Sequence, residues 1–391
     1  MTTMSDLPDD LAEEILSRVP LTSLSAVRTT CKKWYALSKD GIFGKSASGR
    51  KPFLGFMMKD YRVCSMKFDF VDPCIKQVSL LDQVEISQVF HCDGLLLCVS
   101  KDKSRLLVWN PYLGQTTWIQ PRNNFHRLDR FAIGYDQNRN HKIVRIFGDH
   151  KTIDKLGNNP YLVFGYEIYD LSSNSWKVFS INPDWHIDFY QRGVSLKGNT
   201  YFLAEKIVIR KSGRTIKNEF IISFNFTTER FGQRLPLPFD SHNGDKFMSI
   251  CCVREEQLAV LHQGWVTGHT LEIWVTNKID PGAVLWSKFL RSISGSCKVQ
   301  YTDGSFFIDE EKKVVVVVNL DGGLETGCNQ TANIIGQDGY FKSVNMGEAP
   351  NLGKIGISGD MLPKFCCPLV CSYVPSLVQL QPGIISKESD D

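Results

Sequence analysis

The sequence predicts a small all-α head followed by an all-β domain, a propeller of about six blades. Three observations carry this. Clear helical periodicity is confined to residues 1–40. From Phe53 onwards the chain consists of short β-branched and aromatic runs broken by turn residues. Those turns recur at intervals of roughly fifty residues, and a second signature trails most of them, as expected for repeated blades.

The head comes first. Leu11, Ile15 and Val19 recur at four-residue steps with Leu16 beside them, so one face of a helix is apolar. Pro8 sits where a helix can begin, because its missing N–H would find no partner there anyway. Asp9, Asp10, Glu13 and Glu14 place negative charge in the opening turns, which suits the helix dipole, and Pro20 ends the helix. A second pattern runs through Leu24, Val27, Cys31 and Trp34, with Arg28, Lys32 and Lys33 interleaved. A unit this short supplies too little core to stand alone, so its apolar surface needs the rest of the chain or another protein.

The spelling of this stretch resembles an F-box: Leu7-Pro8, Asp10-Leu11, Glu14–Leu16, Arg18–Pro20, Ser23-Leu24 and the run from Arg28 to Trp34. Thr29-Thr30 departs mildly from the pattern. The resemblance implies docking onto the Skp-type adaptor of a cullin–RING ubiquitin ligase. Carried over by position, Leu7, Pro8, Leu11, Ile15, Leu16, Val19, Leu24, Val27, Cys31 and Trp34 would form the apolar contact, with Arg28 and Lys32 as its polar rim. Some of these must instead hold the helices together.

Residues 41–50, rich in Gly and Ser, read as a linker, and residues 51–380 as the β domain. Strand-like runs flank turns at Asp93-Gly94, Gln137–Asn140, Lys197–Asn199, Glu255-Glu256 and Glu310–Lys312. Behind the first three comes an aromatic, then Asn or Asp, small turn residues and a further aromatic: VWNPYLGQTTW from Val108, IYDLSSNSW from Ile168 and SFNFTTERF from Ser223. A stretched copy begins at Ile273 and a worn one at Gly336. A two-sheet sandwich would also give many short strands, but it has no reason to repeat this signature. Extra strands before the first turn and in residues 365–380 suggest a last blade assembled from both ends, since an open edge invites pairing with other chains. Five or seven blades are the alternatives. Residues 381–391, ending ISKESDD, read as a disordered tail.

After an F-box, WNP, YDL, NSW, FNF and the closing SYVPSLVQL resemble the F-box-associated (FBA) domain of plant F-box proteins, a kelch-like module. The resemblance spans essentially the whole chain and implies a subunit that selects a protein for ubiquitination without catalysing the transfer.

Composition agrees with a folded protein: 391 residues, 42% hydrophobic, 22% charged, net charge +3. That charge is too small to argue for nucleic acid, and the apolar runs are too short for a membrane helix. The polar start MTTMSDLPDD is unlike a secretory signal, so the expected location is intracellular, nucleus and/or cytoplasm. Twelve cysteines without C-x-x-C pairs are expected as free thiols packed as small hydrophobes. The eight histidines are scattered without metal-ligand spacing, and no nucleophile elbow, phosphate loop or zinc motif occurs. No cofactor, metal or catalytic residue is expected. Trp109, Trp118, Trp176, Trp274 and Trp286 follow the repeat and read as packing between blades.

Three functions compete: a ligase adaptor, a ligand- or glycan-binding propeller with a helical cap, and a propeller enzyme. Only the first explains an uncommitted apolar helical face. Recognition of the protein substrate would fall to irregular insertions, Gly148–Pro160, Asn182–Gln191, Lys206–Asn218 and Gly322–Ala332. Within them Trp185, Tyr190 and the Arg210, Lys211, Arg214 cluster are the candidate contacts.

Overall fold

A computed structural model of the chain describes Leu7, Pro8, Leu11, Ala12, Ile15, Lys32 and Trp34 of the head. Beyond them it describes residues 53–59, 61–68, 74–77, 84–123, 125–126, 129–148, 163–188, 191–209, 215–239, 246–264, 270–280, 283–293, 304–310, 312–323, 327–349 and 369–380. The expected linker and tail lie outside these residues.

The described strands make six four-stranded antiparallel sheets. The first blade holds β1 (Phe53–Lys59), β2 (Arg62–Phe68) and β3 (Cys74–Gln77). The second holds β4 (Ile86–Cys92), β5 (Leu95–Ser100), β6 (Leu106–Asn110) and β7 (Gln115–Ile119). The third holds β8 (Arg130–Tyr135), β9 (His141–Gly148), β10 (Val163–Asp170) and β11 (Ser175–Ser180). β12 (Val194–Leu196), β13 (Asn199–Ile209), β14 (Thr215–Asn225) and β15 (Arg230–Leu235) form the fourth. β16 (Lys246–Val253), β17 (Gln257–Gly264), β18 (Thr270–Asp280) and β19 (Ala283–Ile293) form the fifth. The sixth is β20 (Ser305–Asp309), β21 (Val314–Gly323), β22 (Gly327–Gly336) and β23 (Phe341–Glu348).

The ring closes as the orphan strands suggested. β24 (Leu369–Ser372) pairs with β1, Met58 opposite Leu369 and Gly55 opposite Ser372, and becomes the innermost strand of the first blade. A six-bladed propeller results, its axis surrounded by β24, β4, β8, β12, β16 and β20.

Side chains alternate between the two faces of a strand, and each blade has a neighbour on both faces, so the second strands are rich in apolar residues on both sides. In β5, Leu95, Leu97 and Val99 pack with Phe131 and Ile133 of the third blade. Leu96 and Cys98 of the same strand, with Trp109 of β6, pack with Phe56 of the first blade. The valine run of β21 divides likewise: Val315 and Val317 meet the fifth blade, whereas Val316 and Val318 meet Met57 of the first. Each such side chain contributes on the order of 1.5–3 kcal/mol when fully buried.

Both repeat signatures are hairpins. Asp93-Gly94 and Lys197-Gly198 join the first two strands of their blades with positive φ at both residues. Gly94 is further required because a Cβ there would lie 2.2 Å from that of Ser376. The Asn/Asp signature joins the third and fourth strands. Asn110 Oδ1 accepts from the Tyr112 and Leu113 N–H, Asp170 Oδ1 from Ser172 and Ser173, and Asn225 Oδ1 from Thr227 and Thr228. These side chains close the corner themselves, which is why the type recurs. The tryptophans then clasp the preceding blade, Trp176 Nε1 donating to Gln120 O and Trp286 Nε1 to Pro236 O, both at 3.1 Å. Trp109 is buried against Phe56, ring centroids 5.5 Å apart.

Two expected insertions are not irregular. Lys206–Asn218 continues the β13–β14 ladder, Lys206 opposite Asn218 and Ile209 opposite Thr215. Gly322–Ala332 likewise extends β21–β22 to the pair Gly323 and Gly327. Gly and basic residues read as loop, yet backbone pairing carries both hairpins outward.

Candidate functional site

Antiparallel order sorts the connections between two ends of the ring. The first-to-second and third-to-fourth strand turns lie at one end, the turn end. The second-to-third hairpins and the blade-to-blade crossings lie at the other, the connection end. All four segments singled out in the sequence belong to the connection end, because they follow β9, β11, β13 and β21. The chain enters β1 at the turn end, where Gly55 faces Ser372. The head and the long segments therefore join the ring at opposite ends.

In the head, the Ala12 N–H donates to Pro8 O at 3.0 Å, a helical turn beginning at the proline. Ala12 is fully buried, whereas Leu11 and Ile15, four residues apart on one face, are 45% and 36% exposed. Pro8 and Lys32 are exposed and Leu7 half-buried. Trp34 is only 5% exposed. Leu11 and Ile15 form an exposed apolar stripe. Leu16, Val19, Leu24, Val27, Arg28 and Cys31 lie outside the described residues.

At the connection end, residues 182–188 form a strap across the third and fourth blades. His186 and Glu205 exchange two backbone hydrogen bonds of 2.9 Å, and Ile187 is fully buried. Asp184 is held by Lys206 at 2.6 Å and by Arg234. Trp185 is half-buried with its ring edge-on to Phe231, centroids 4.9 Å apart, so it anchors the strap. Tyr190, Arg210, Lys211 and Arg214 lie outside the described residues. The described chain breaks off and resumes at Asp188 and Gln191, between the third and fourth blades, and at Ile209 and Thr215, in the fourth.

His186, Asp188 and Glu205 gather three metal-type donors that spacing along the chain did not reveal, because Glu205 comes from another strand. Glu205 Oε1 is already engaged by His186 Nε2 at 2.7 Å and Lys217 Nζ at 2.8 Å. Although burial opposes it, these hydrogen bonds hold the Glu205 carboxyl below its usual range. The group is a satisfied ion network. A second network lies beside it: Arg145 bonds Asp129 at 2.6 Å and Glu167 at 2.7 Å, and Arg122 lies 3.4 Å from Glu167. Burial raises the Asp129 carboxyl despite Arg145.

Between the inner strands runs an axial cavity of about 100 Å³, lined by residues of β4, β12, β16, β20 and β24. Burial keeps its histidine and two of its thiols uncharged, while Arg192 and Glu255 also line it. Burial brings His91 down to about 4 and takes the Cys252 and Cys371 thiols up to about 12. A thiol held protonated is a poor nucleophile. Cys64, Cys92 and Cys98 are buried free thiols, as expected for small hydrophobes.

Comparison with known proteins bears on both parts. The F-box domain family matches residues 4–46, and the F-box associated beta propeller domain family matches residues 54–380. The chain is an F-box protein with an F-box-associated β-propeller. An F-box/kelch-repeat protein of Arabidopsis thaliana is 59% identical, the match covering 97% of each chain. An F-box protein of the same plant is 49% identical over 97% of this chain and all of its own length. F-box proteins are generally substrate adaptors rather than enzymes, and the F-box implies binding to a Skp-type adaptor. In this F-box protein the family signatures meet physically. Asn110 of WNP donates through Nδ2 to the carbonyls of Ser376 and Val378 in SYVPSLVQL, at 3.1 and 2.8 Å.

Proposed function

We propose that this protein is the substrate-recognition subunit of a Skp–cullin–F-box ubiquitin ligase. Its head docks on the Skp-type adaptor and through it on the cullin and RING subunits, and its connection end holds a protein substrate. The observation that carries this reading is an F-box joined to a closed ring at the end opposite the long segments. A substrate on the connection end leaves the head free for the ligase core. The adaptor contact is made by Leu7, Pro8, Leu11, Ile15, Leu16, Val19, Leu24, Val27, Cys31 and Trp34, with Arg28 and Lys32 as its polar rim. The substrate contact includes Tyr190, Arg210, Lys211 and Arg214, with Trp185 fixing the strap from which Tyr190 follows. The complex acts inside the cell, in nucleus and/or cytoplasm.

The test is affinity capture from plant cells with the intact chain and two variants, Leu16→Asp and the combination Tyr190→Ala with Arg210, Lys211 and Arg214→Ala. The first is expected to lose adaptor, cullin and RING subunits while keeping other partners. The second is expected to keep the ligase core and lose a distinct partner. Retention of the core by Leu16→Asp, or an identical partner set for the second, would overturn the corresponding half.

A further inference from the structure

At the turn end of the axial cavity a carboxylate stands without a cationic partner. The β16–β17 turn runs from Val253 to Glu256, whose N–H donates to Val253 O at 3.0 Å. Its two central residues, Arg254 and Glu255, have φ of 50° and 57°. In the second and fourth blades the matching second position is Gly94 and Gly198, the residue type that meets positive φ without a Cβ. Here the chain places a glutamate instead, and it lines the cavity. Cations nearby are engaged elsewhere. Arg139 Nη2 bonds Asp93 Oδ1 at 2.8 Å, and Arg254 Nε lies 3.1 Å from Glu310 Oε2. Lys197, on the turn of the fourth blade, is exposed and outside the cavity wall. His91 Nδ1 lies 3.7 Å from Glu255 Oε1, but its Nε2 accepts the Gly94 N–H at 3.1 Å. The ring therefore carries a single proton and no charge. Among the described residues no ammonium or guanidinium is within ion-pair distance of Glu255. Burial and the Asp93 carboxylate raise the Glu255 carboxyl above its usual range, with Arg139 opposing. A cation bound beside it would favour the charged form.

We propose that the axial cavity is a binding site for a short alkylammonium, its charged head at Glu255 and its chain along the cavity. Four blades supply apolar wall for the methylenes, through Val89, Met248, Phe306 and Val370. Ser195 also lines the cavity; its hydroxyl donates to Ile133 O, which leaves lone pairs to accept from an ammonium. The volume, about 100 Å³, is below the roughly 150 Å³ of a cavity that holds benzene, so it suits a chain of about four or five non-hydrogen atoms. A carboxylate in a narrow, low-dielectric wall attracts an ammonium more strongly than the same group in open water. The wall includes residues of β4, β16, β20 and β24, so an occupant ties the closing strand to the rest of the ring and raises its stability. A free amine and a lysine side chain share this chemistry. The site lies on the axis and does not depend on the substrate contacts at the connection end.

The test uses the full chain and n-butylammonium chloride, read by calorimetric titration and by Tm at fixed ionic strength. The neutral 1-butanol and the anion butyrate are the controls. Expected are saturable binding and a rising Tm with n-butylammonium, and at least tenfold weaker binding of either control. Glu255→Gln is expected to lose at least tenfold in n-butylammonium affinity. Nα-acetyl-lysine N-methylamide separates the two sources: its binding assigns the ammonium to a polypeptide lysine, and its exclusion assigns it to a free amine. Equal affinity for n-butylammonium and 1-butanol overturns the site. So does native-like affinity in Glu255→Gln, or no binding of either cation. If circular dichroism shows that Glu255→Gln does not fold, the native chain's discrimination between n-butylammonium, 1-butanol and butyrate decides the matter.

Discussion

Asn110 offers a measurement of how the ring is locked. Its side chain is fully buried and makes four hydrogen bonds: Oδ1 closes the β6–β7 corner, and Nδ2 holds the carbonyls of Ser376 and Val378. Each bond contributes on the order of 1 kcal/mol net, so Asn110→Ala is expected to cost about 4 kcal/mol. Asn225 makes the same corner in the fourth blade with only the Thr227 and Thr228 bonds. Asn225→Ala should cost about half as much, and the difference, about 2 kcal/mol, belongs to the clasp. For a domain of this size about 2 °C of Tm accompanies each kcal/mol, giving falls of about 8 and 4 °C. Urea unfolding and calorimetry measure these. Hydrogen exchange locates them: the Leu380 amide, which donates to Gln115 Oε1 at 2.9 Å, should lose protection in Asn110→Ala and keep it in Asn225→Ala. Equal destabilisation by the two changes, with Leu380 protected in both, would refute the clasp.

Other outcomes follow from the same packing. Truncation after Pro363 removes β24 and uncovers an edge of β1 together with the face of the second blade, so aggregation or loss of cooperative unfolding is expected. A truncated chain that melts like the intact one would mean the ring closes without it. His91 is held at about 4 in the folded chain by burial, against a usual value near 6.5. Its folded-state value is depressed, so its contribution is present above pH 6.5 and lost as pH falls towards 4, by up to about 3 kcal/mol. His91→Gln keeps an acceptor for the Gly94 N–H and should flatten the stability profile across that range; an unchanged acid limb would assign it to other groups.

Much of this architecture is legible in sequence because turns are local. Asp93-Gly94 and Lys197-Gly198 need positive φ, and Asn110, Asp170 and Asn225 close their own corners, so each leaves its mark within a few residues. Ring closure is legible as well, since unpaired strand signals at the two ends have one economical partner. Hairpin length is not. The ladder from Lys206 to Asn218 hides behind Gly and basic residues because backbone pairing has no composition of its own. Trp185 shows why a residue's surroundings are harder to read than turns: its edge-on contact with Phe231, from another strand, leaves no mark in the Asn-Pro-Asp stretch around it. Glu205 with His186 is assembled from the strap and a strand and carries no spacing signal. In the head, periodicity finds the apolar positions, but only burial separates Trp34 from Leu11 and Ile15.

The account turns on the exposed stripe of the head. The most direct measurement is calorimetric titration of a purified Skp-type adaptor into the intact chain and into Leu11→Asp and Ile15→Asp. Each change removes an apolar contact of about 1.5–3 kcal/mol and would force a carboxylate to be desolvated. Both lie on exposed positions, so circular dichroism and Tm of the ring should not move. The account predicts tight binding by the native chain and a loss of at least tenfold in each variant. Native-like adaptor affinity in both variants would contradict it.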